Sequence, residues 1–482
     1  VGSEMCIRDR YSTNYMEEMW KMKNIYLVSY SVKGIKTLDE LITLSFYKKT
    51  ITRDLDMQEY NVKGIYGMNG SGKSAIVTSA DILRNILTNS NYLNNPIVQK
   101  NLEEIINKKL GELFISVDFI VNSNKTENDI PALMRYAVMI SRNSNGKYVI
   151  SHEKLFCKNA CKKSDFMFTM FEVNKGEVIS VIDKSENSIL KRFLDKTVNL
   201  LEDNSMSTLF FDKILMDKGN NDAVKDYPML FFHLMSLWFF GKSIHVYLDQ
   251  SDDHSNYILN NTVDDWSNAK APKEKDALLD HFIALKSDYL FVLSIANNYV
   301  GKENYQKFSQ TVEKLAQFLR IFKSDLIRIE IDKKENHSFY ICNLVMVYES
   351  YKINAEFEST GIKKLIKLFA YLREMVHGGI VFLDEFDSNL HDVYLCALLE
   401  YLMEYGEGQL CFTTHNVGPM DVLKRHKKSI DFLSADHKIY PWTSNGNYSP
   451  SRLYRNGMIE GSPFNVDSVD FIGVFSSGTE DK

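Results

Sequence analysis

The stretch Val62–Leu83 reads VKGIYGMNGSGKSAIVTSADIL and places a glycine-rich loop between an apolar run and a helical pattern. The loop from Gly67 to Ser74 matches the pattern G-x-x-x-x-G-K-[ST] in full. In such a loop the glycines let successive backbone N–H groups face a phosphate chain. The lysine then reaches the β- and γ-phosphates, and the serine hydroxyl reaches Mg²⁺. These residue types predict a binding site for a nucleoside triphosphate.

The sequence on either side of the loop agrees with this prediction. Val62–Tyr66 is apolar and β-prone, which predicts a strand, and Ser74–Leu87 has the period of a helix. The N-terminus of a helix favours anions because its first N–H groups are unpaired. The predicted nucleotide contacts are Gly67, Asn69, Gly70, Ser71, Gly72, Lys73, Ser74 and Ala75.

A second motif, GGIVFLDEFDSNLH at Gly378–His391, has four apolar β-formers followed by Asp384 and Glu385. Nucleotides bind outside the carboxyl ends of buried strands in open α/β sheets. We therefore predict that Asp384 holds Mg²⁺ together with Ser74, and that Glu385 orients or deprotonates the attacking water. The alternative is an acidic pair that only ends a strand, and the complete phosphate loop upstream argues against it.

Two further segments are candidates for the same site. The strand predicted at Leu410–Thr413 is followed by His415, which could bond the γ-phosphate and sense hydrolysis or could be an ordinary loop histidine. A helix begins after ESTG, residues 358–361. Ser359 and Gly361 could form an anion site from a hydroxyl, N–H groups and the helix dipole, or Ser359 could be only an N-cap.

Composition sets limits on the class of protein. The chain has 482 residues, 44% of them hydrophobic, and a net charge of −6, which are ordinary values for a globular protein. Its overall charge does not attract nucleic acid or an anionic membrane. Six cysteines without a regular spacing favour a reducing compartment, so we expect a cytoplasmic location. Tyr227–Phe240, the longest apolar run, is too short for a membrane span and predicts a buried helix.

The order of the motifs resembles that of a known class. GMNGSGKS, ESTG, IVFLDEFDSNLH and TTHN follow one another as they do in ATP-binding-cassette (ABC) ATPases of the SMC and OLD kind. The set is more closely similar to bacterial AAA ATP-binding proteins related to RloA-like restriction-linked ATPases. The stretch Tyr454–Phe475 is also similar to the C-terminus of that family.

The resemblance implies roles for particular residues and a mechanism. Gly67–Ser74 would be the Walker A loop, Asp384 and Glu385 the Walker B pair, and Asp387–Leu390 the D-loop. His415 would be the switch histidine, and Ser359 with Gly361 the signature that completes the ATP site of a partner subunit. Two heads of a homodimer would close on two ATP molecules with Mg²⁺, hydrolyse them and reopen.

The same resemblance implies a fold and a domain division. We expect an α/β P-loop NTPase head of the ABC type with an N-terminal antiparallel β subdomain and a helical insertion. The predicted halves of the head are residues 22–155 and 323–482, and the mainly helical insertion is 156–322. Residues 1–21 are expected to be an artefact and leader, because Met5–Arg10 (MCIRDR) resembles one reading frame of a transposase mosaic-end sequencing adapter.

The leading functional hypothesis is an ATPase in bacterial anti-phage or restriction-linked defence, with a separate nuclease or toxin as effector, DNA as a possible ligand and no membrane. An OLD-type nuclease would need a Glu…Asp-x-Asp arrangement after His415, and we find none. A transporter subunit would need a much shorter distance between Ser74 and Ser359, and an SMC-like DNA-repair clamp would need a coiled coil. A non-catalytic nucleotide switch would not need Glu385.

Overall fold

The computed structural model describes residues 24–52, 55–122, 131–162, 164, 166–182, 188–211, 229–248, 293–335, 339–443 and 448–462. The strands, numbered in chain order, are β1 (Asn24–Lys33), β2 (Ile42–Ser45), β3 (Val62–Gly67), β4 (Glu112–Asn122), β5 (Ala132–Arg142), β6 (Tyr148–Asn159), β7 (Phe168–Asn174), β8 (Glu177–Val181), β9 (Ile244–Tyr247), β10 (Asn298–Gly301), β11 (Arg328–Glu335), β12 (Phe339–Val347), β13 (Lys352–Asn354), β14 (Ile380–Leu383), β15 (Gln409–Thr413), β16 (Ile430–Leu433) and β17 (Ile439–Pro441). The helices are α1 (Lys73–Thr88), α2 (Pro96–Ile105), α3 (Ser188–Thr197), α4 (Met206–Phe210), α5 (Met229–Ser243), α6 (Tyr305–Phe322), α7 (Thr360–Val376), α8 (Asp392–Tyr405), α9 (Met420–Leu423) and α10 (Pro450–Arg455). The leader predicted at residues 1–21 lies outside the described residues.

The central sheet has six strands in the order β17-β16-β3-β15-β14-β9. The strands from β16 to β9 run parallel, and β17 is antiparallel to β16 at one edge. Every residue of β3, β14 and β15 is buried, as expected for parallel strands that are covered on both faces. The strands predicted at Val62–Tyr66 and at 380–383 are confirmed.

Different layers cover the two faces of this sheet. On one face, α1 and α5 pack between the central sheet and a second sheet, and Ile65, Ile76 and Phe382 share that core. On the other face, Leu372 of α7 and Leu399 of α8 pack against the strands. The central sheet is therefore the middle layer of the molecule.

The second sheet is antiparallel and has the order β2-β1-β4-β5-β6-β7-β8. Its hairpin β1–β2 precedes the loop at Gly67 and belongs to the N-terminal antiparallel β subdomain that the sequence predicts. Residue 155, the end predicted for the first half of the head, lies inside β6, and β7 and β8 continue the same sheet. The antiparallel β subdomain thus extends to Val181.

The insertion predicted at 156–322 contains strands as well as helices. After the apolar helix α5, β9 pairs with β14 and becomes the edge strand of the central sheet. Farther along, β10 pairs with β12. The sequence Leu278–Ile295 has the period of a helix, and this predicted helix lies mainly outside the described residues. The inserted segment therefore contributes β9 to the central sheet and β10 to the sheet that contains β12.

A small third sheet stands beside α7. β12 pairs with β11, β10 and β13, all antiparallel, and α6 packs on it. Leu365 and Phe369 of α7 belong to this core, whereas Leu368 and Leu372 belong to the core under the central sheet. The helix α7 is buried on two sides because it lies between these cores.

No helix of the described residues is long and apolar enough to cross a membrane. The helix α5 is the apolar run that the sequence predicts as buried, and its Leu230, Leu234 and Leu237 lie in the core. The fold is the α/β one that the sequence predicts, a central parallel sheet with an antiparallel β subdomain and an insertion.

One carboxylate of the antiparallel layer is buried and hydrogen-bonded. Glu153 on β6 is fully buried, and its Oε1 accepts hydrogen bonds from the Tyr136 hydroxyl at 2.9 Å and the Met206 amide at 3.3 Å. Burial raises the pKa of Glu153 to about 7 against the usual 4.5, although both donors oppose the rise. The fold therefore favours the protonated carboxyl.

We expect Glu153→Gln to remove a loss of stability that the parent shows between about pH 4.5 and 7. The contribution of a carboxyl with a raised pKa is complete below its unfolded pKa and is lost as the pH rises toward its folded pKa. The shift corresponds to roughly 3 kcal/mol of unfolding free energy. Urea denaturation at pH 5 and pH 8 measures this slope, and Glu104→Gln on the exposed face of α2 is the control. An unchanged slope in Glu153→Gln would contradict this prediction.

Candidate nucleotide-binding site

The parallel pairing of three strands brings the predicted motifs to one edge of the central sheet. β15 lies between β3 and β14, with Thr413 opposite Ile65 and Leu383 opposite Phe412. The carboxyl ends of these strands are therefore neighbours. Each of these ends is followed by one predicted group: the glycine-rich loop after β3, His415 after β15, and the Asp384–Glu385 pair after β14. All three groups therefore lie at the same edge of the sheet.

The glycine-rich loop depends on close packing at two of its glycines. At Gly67 a Cβ would lie 2.4 Å from the Leu433 carbonyl oxygen, so no larger residue fits without moving backbone. Gly72 has φ +101°, and a Cβ there would lie 2.5 Å from Cδ2 of Leu38. The positive φ and the contact both require glycine. The loop tip, Asn69 and Gly70, is exposed.

Lys73 is the first residue of α1 and is only 6% exposed. Its Nζ donates to the carbonyl oxygens of Gly67 at 2.8 Å and Met68 at 2.9 Å. Burial lowers the pKa of Lys73 to about 8, and the charges of nearby carboxylates, Asp384 first, oppose that fall. Both of these hydrogen-bond acceptors are neutral carbonyls, and a phosphate would give the buried ammonium a charged acceptor.

The neighbours of Lys73 complete the loop. The Ser74 side chain is half-buried on the first turn of α1, and Ala75 is fully buried, with its amide donating to Gly72 O at 3.1 Å. The Ser71 hydroxyl is buried, and among the described residues it has no hydrogen-bond partner. An unsatisfied buried hydroxyl in a phosphate-type loop is a donor available to an incoming ligand.

Thr413 joins the two carboxylates of the second motif. Its hydroxyl donates to Oδ1 of Asp384 at 2.6 Å and accepts from the Glu385 amide at 2.8 Å. Asp384 is 8% exposed, while Glu385 is half-buried and has φ +48°. The sequence did not single out Thr413, since a threonine near a strand end has no distinguishing pattern.

His415 is exposed near the start of the loop that follows β15. Partial desolvation lowers the pKa of His415, the charge of Lys73 lowers it further, and the carboxylates of Asp387, Glu385 and Asp384 oppose both effects. The imidazole therefore shares an electrostatic environment with both halves of the candidate site. A role in sensing the γ-phosphate stays a prediction.

The segment that resembles a signature, at the start of α7, packs against the turn that follows β14 in the same chain. Ser359 caps α7, with Oγ accepting from the Ile362 amide at 3.4 Å. Gly361 lies so close to this turn that a Cβ would be 2.6 Å from the Asn389 carbonyl oxygen. Thr360 Oγ1 also donates to Asn389 Oδ1 at 3.3 Å. Ser359 is therefore an N-cap of α7, as one of the two predicted roles requires. Close packing against Asn389 is one reason why position 361 is a glycine.

Sequence reasoning missed the contribution of the β1–β2 turn. Lys36, in this turn, donates from Nζ to Thr78 Oγ1 on α1 at 3.3 Å, and the adjacent Leu38 packs on Gly72. Burial lowers the pKa of Lys36, and the charge of Asp384 opposes this. Lys36 is therefore a second cation near the loop. The available signal is a pair of β-rich runs, Ile25–Val32 and Leu41–Tyr47, with Gly34 between them. These runs predict a turn but do not show against which part of the chain it packs.

Comparison with protein families gives a match over part of the chain. The family described as "AAA domain, putative AbiEii toxin, Type IV TA system" matches residues 217–421. That segment includes Ser359, Asp384 and His415, whereas the glycine-rich loop precedes it. Over this segment, less than half of its length, the chain is similar to AAA-type ATPase domains. No curated protein sequence matches the chain.

Among solved structures, the chain is similar to one described as "Structure of the recombination mediator protein RecF-ATPrS in RecFOR pathway". The two share 14% sequence identity, the match covers 87% of this chain and 98% of that chain, and the TM-score is 0.36. A likeness at this level transfers neither residue roles nor partners.

Proposed function

We propose that this chain binds ATP with Mg²⁺ at residues 67–75 and hydrolyses the β–γ phosphoanhydride bond with residues that follow β14 and β15. The observation that carries the proposal is the parallel pairing of β3, β15 and β14. It brings a phosphate-type loop, a carboxylate pair and a histidine to one edge of the sheet, which is the chemistry that phosphoryl transfer needs. Similarity to AAA-type ATPase domains supports the same reaction.

In this proposal the loop binds the phosphates through backbone N–H groups and the first turn of α1. Lys73 would exchange its two carbonyl partners for phosphate oxygens, and an ammonium bonds an anionic oxygen more strongly than a neutral carbonyl. The unsatisfied Ser71 hydroxyl is a further donor. The exposed loop tip leaves room for the ligand, because nothing lies within 4 Å of a Cβ built on Gly70.

The residues present fit a magnesium ion. Ser74 and Asp384 would hold it, since hydroxyl and carboxylate oxygens are the ligands that Mg²⁺ prefers. Asp384 uses Oδ1 to accept from Thr413, which orients the carboxylate. The ion would supply charge neutralisation of the triphosphate.

Glu385 is proposed as the residue that orients the attacking water and accepts its proton, and His415 as the group that senses the γ-phosphate. The bond between water oxygen and γ-phosphorus forms as the bond to the β-bridging oxygen breaks, and the proton of the water passes to the Glu385 carboxylate. Partial desolvation lowers the pKa of His415, which favours the neutral imidazole, and a neutral imidazole still has one ring N–H that can donate to phosphate.

The finer proposal is that two such heads form a homodimer in the bacterial cytoplasm and act in defence against phage. The description of the matching family names a putative AbiEii toxin and a toxin–antitoxin system, which supports a defence role. A separate nuclease or toxin as effector is part of the same proposal. DNA binding belongs to the same proposal as a property of the assembly. Phage plating on cells that carry the chain with its neighbouring genes tests this role.

Lys73→Ala is the experiment for the nucleotide site. We expect the affinity for ATP to fall at least about 10-fold, because a charge-assisted phosphate bond is worth roughly 1.5–3 kcal/mol. Titration of ATP with Mg²⁺ against the folded variant measures this, and Lys100→Ala on the exposed face of α2 is the control. Unchanged ATP affinity in folded Lys73→Ala would refute the nucleotide site. Phage resistance that persists in this variant would refute only the defence role.

A further inference from the structure

A buried lysine on α7 contacts the backbone of Glu385. Lys364 is 4% exposed. Its Nζ donates to the Glu385 carbonyl oxygen and to the Ser388 hydroxyl, and it lies 5.9 Å from the ring centroid of Tyr247. No motif in the sequence distinguishes Lys364 from Lys363 beside it, and the proposed chemistry does not use it.

The segment that Lys364 contacts has an unusual backbone. Glu385 has φ +48° and Asn389 has φ +61°, which are left-handed conformations that residues with a Cβ rarely adopt. Such conformations persist where surrounding contacts hold them. At Glu385 the amide donates to Thr413 Oγ1 at 2.8 Å, and the carbonyl accepts from the Ser388 amide at 3.0 Å as well as from Lys364.

The chemistry of these contacts favours a positioning role over a stabilising one. Burial of an ammonium carries a large desolvation penalty. An apolar side chain of similar size would avoid this penalty, so stability alone does not explain a lysine at position 364. What the ammonium does provide is a strong hydrogen bond to a carbonyl oxygen, stronger than a neutral donor gives. That bond acts on the peptide that sets the direction of the Glu385 side chain.

We propose that Lys364 is a positioning residue for Glu385, holding its left-handed backbone so that the carboxylate points toward the attacking water. The inference rests on the proposed hydrolysis, since it explains how that carboxylate is aimed. It also ties α7, which begins at the segment resembling a signature, to the catalytic carboxylate of the same chain. Movement of α7 would then be felt at Glu385.

The test compares Lys364→Met, which keeps the stem and removes the donor, with Lys363→Met as a matched control on the next residue. We expect Lys364→Met to lower kcat by about 10- to 100-fold, the cost typical of a misplaced catalytic group. ATP affinity should stay within about twofold, because the loop that binds phosphate is untouched. Lys363→Met should behave as the parent in both measurements.

A cycle with Glu385→Gln separates positioning from general damage. If Lys364 acts through the carboxylate, adding Lys364→Met to Glu385→Gln should cost less than about a further twofold, because the two residues act as a unit. Independent losses that multiply would overturn the proposal.

A second readout needs no activity. In the nucleotide-free chain, hydrogen exchange of the amides in residues 384–390 should be faster in Lys364→Met than in Lys363→Met, because the Ser388 and Glu385 amides belong to the turn that Lys364 holds. Should Lys364→Met not fold, Lys364→Gln takes its place. The Gln donor reaches one atom less far, so we expect about a threefold lower kcat and faster exchange.

These outcomes are distinguishable from failure of the proposed function. A parent chain that does not hydrolyse ATP would remove the function and the inference together. A parent that hydrolyses ATP, beside a folded Lys364→Met with parental kcat or parental exchange, would overturn only the positioning role. Parental values of both in Lys364→Gln would do the same.

Discussion

Glu385→Gln is expected to bind ATP as the parent does and to hydrolyse it about 10²- to 10⁴-fold more slowly, the range that loss of a general base costs. The substitution keeps the contacts that shape the turn, because the Glu385 amide bonds Thr413 Oγ1 and its carbonyl bonds Lys364, and neither involves the side chain. Only the proton acceptor is lost. Single-turnover hydrolysis measures the rate, and equilibrium titration measures affinity.

The matched control is Glu407→Gln, which makes the same chemical change at an exposed position before β15. It should keep the parental rate. Hydrolysis by Glu385→Gln at the rate of the parent would remove Glu385 from the catalytic role, whatever the binding data show. Equal losses of binding and turnover would instead indicate damage to the loop that binds phosphate.

The strands at the site are predictable because of where they lie. Both β3 and β14 are buried on both faces. The four residues of β14 are all apolar, as is typical of such strands, whereas β3 also contains the buried Lys63. The carboxyl end of β3 is marked by Gly67, a residue type that close packing requires there. The carboxyl end of β14 is marked by Asp384, a charged residue directly after a buried strand. Local pattern and local chemistry agree at these positions.

The contacts between motifs are less predictable because they depend on long-range pairing. That β15 lies between β3 and β14 follows from no local pattern, yet this pairing puts the Thr413 hydroxyl between Asp384 and Glu385. The burial of Lys364, and not of Lys363, depends likewise on how α7 packs between two cores.

β9, which lies inside the insertion, is hard to predict for a similar reason. It is four residues long and follows α5 directly, so it has no local pattern long enough to predict a strand. It becomes a strand because β14 offers it an unpaired edge. Tertiary pairing has overridden local propensity here, as it often does for short strands.

The segment at Ser359 raises the question of what it binds. Ser359 and Thr360 are exposed, and Phe357 beside them is 74% exposed. Thr360 lies against the turn after β14, and β14 is two strand spacings, about 10 Å, from β3 and its loop. We propose that the exposed N-terminus of α7 faces away from its own nucleotide and serves the nucleotide of a partner subunit in a two-fold dimer.

Mixing Lys73→Ala subunits with Ser359→Arg subunits should restore activity that each variant lacks alone. In the mixed dimer one site carries both lesions and the other carries neither, so up to about half of the parental rate can return. Ser359→Ala is the control, because it loses the same N-cap, worth about 1 kcal/mol, without adding bulk. Its activity in the homodimer should survive. Verified heterodimers that stay inactive, or a fully active monomer, would leave Ser359 as the cap of α7 and nothing more.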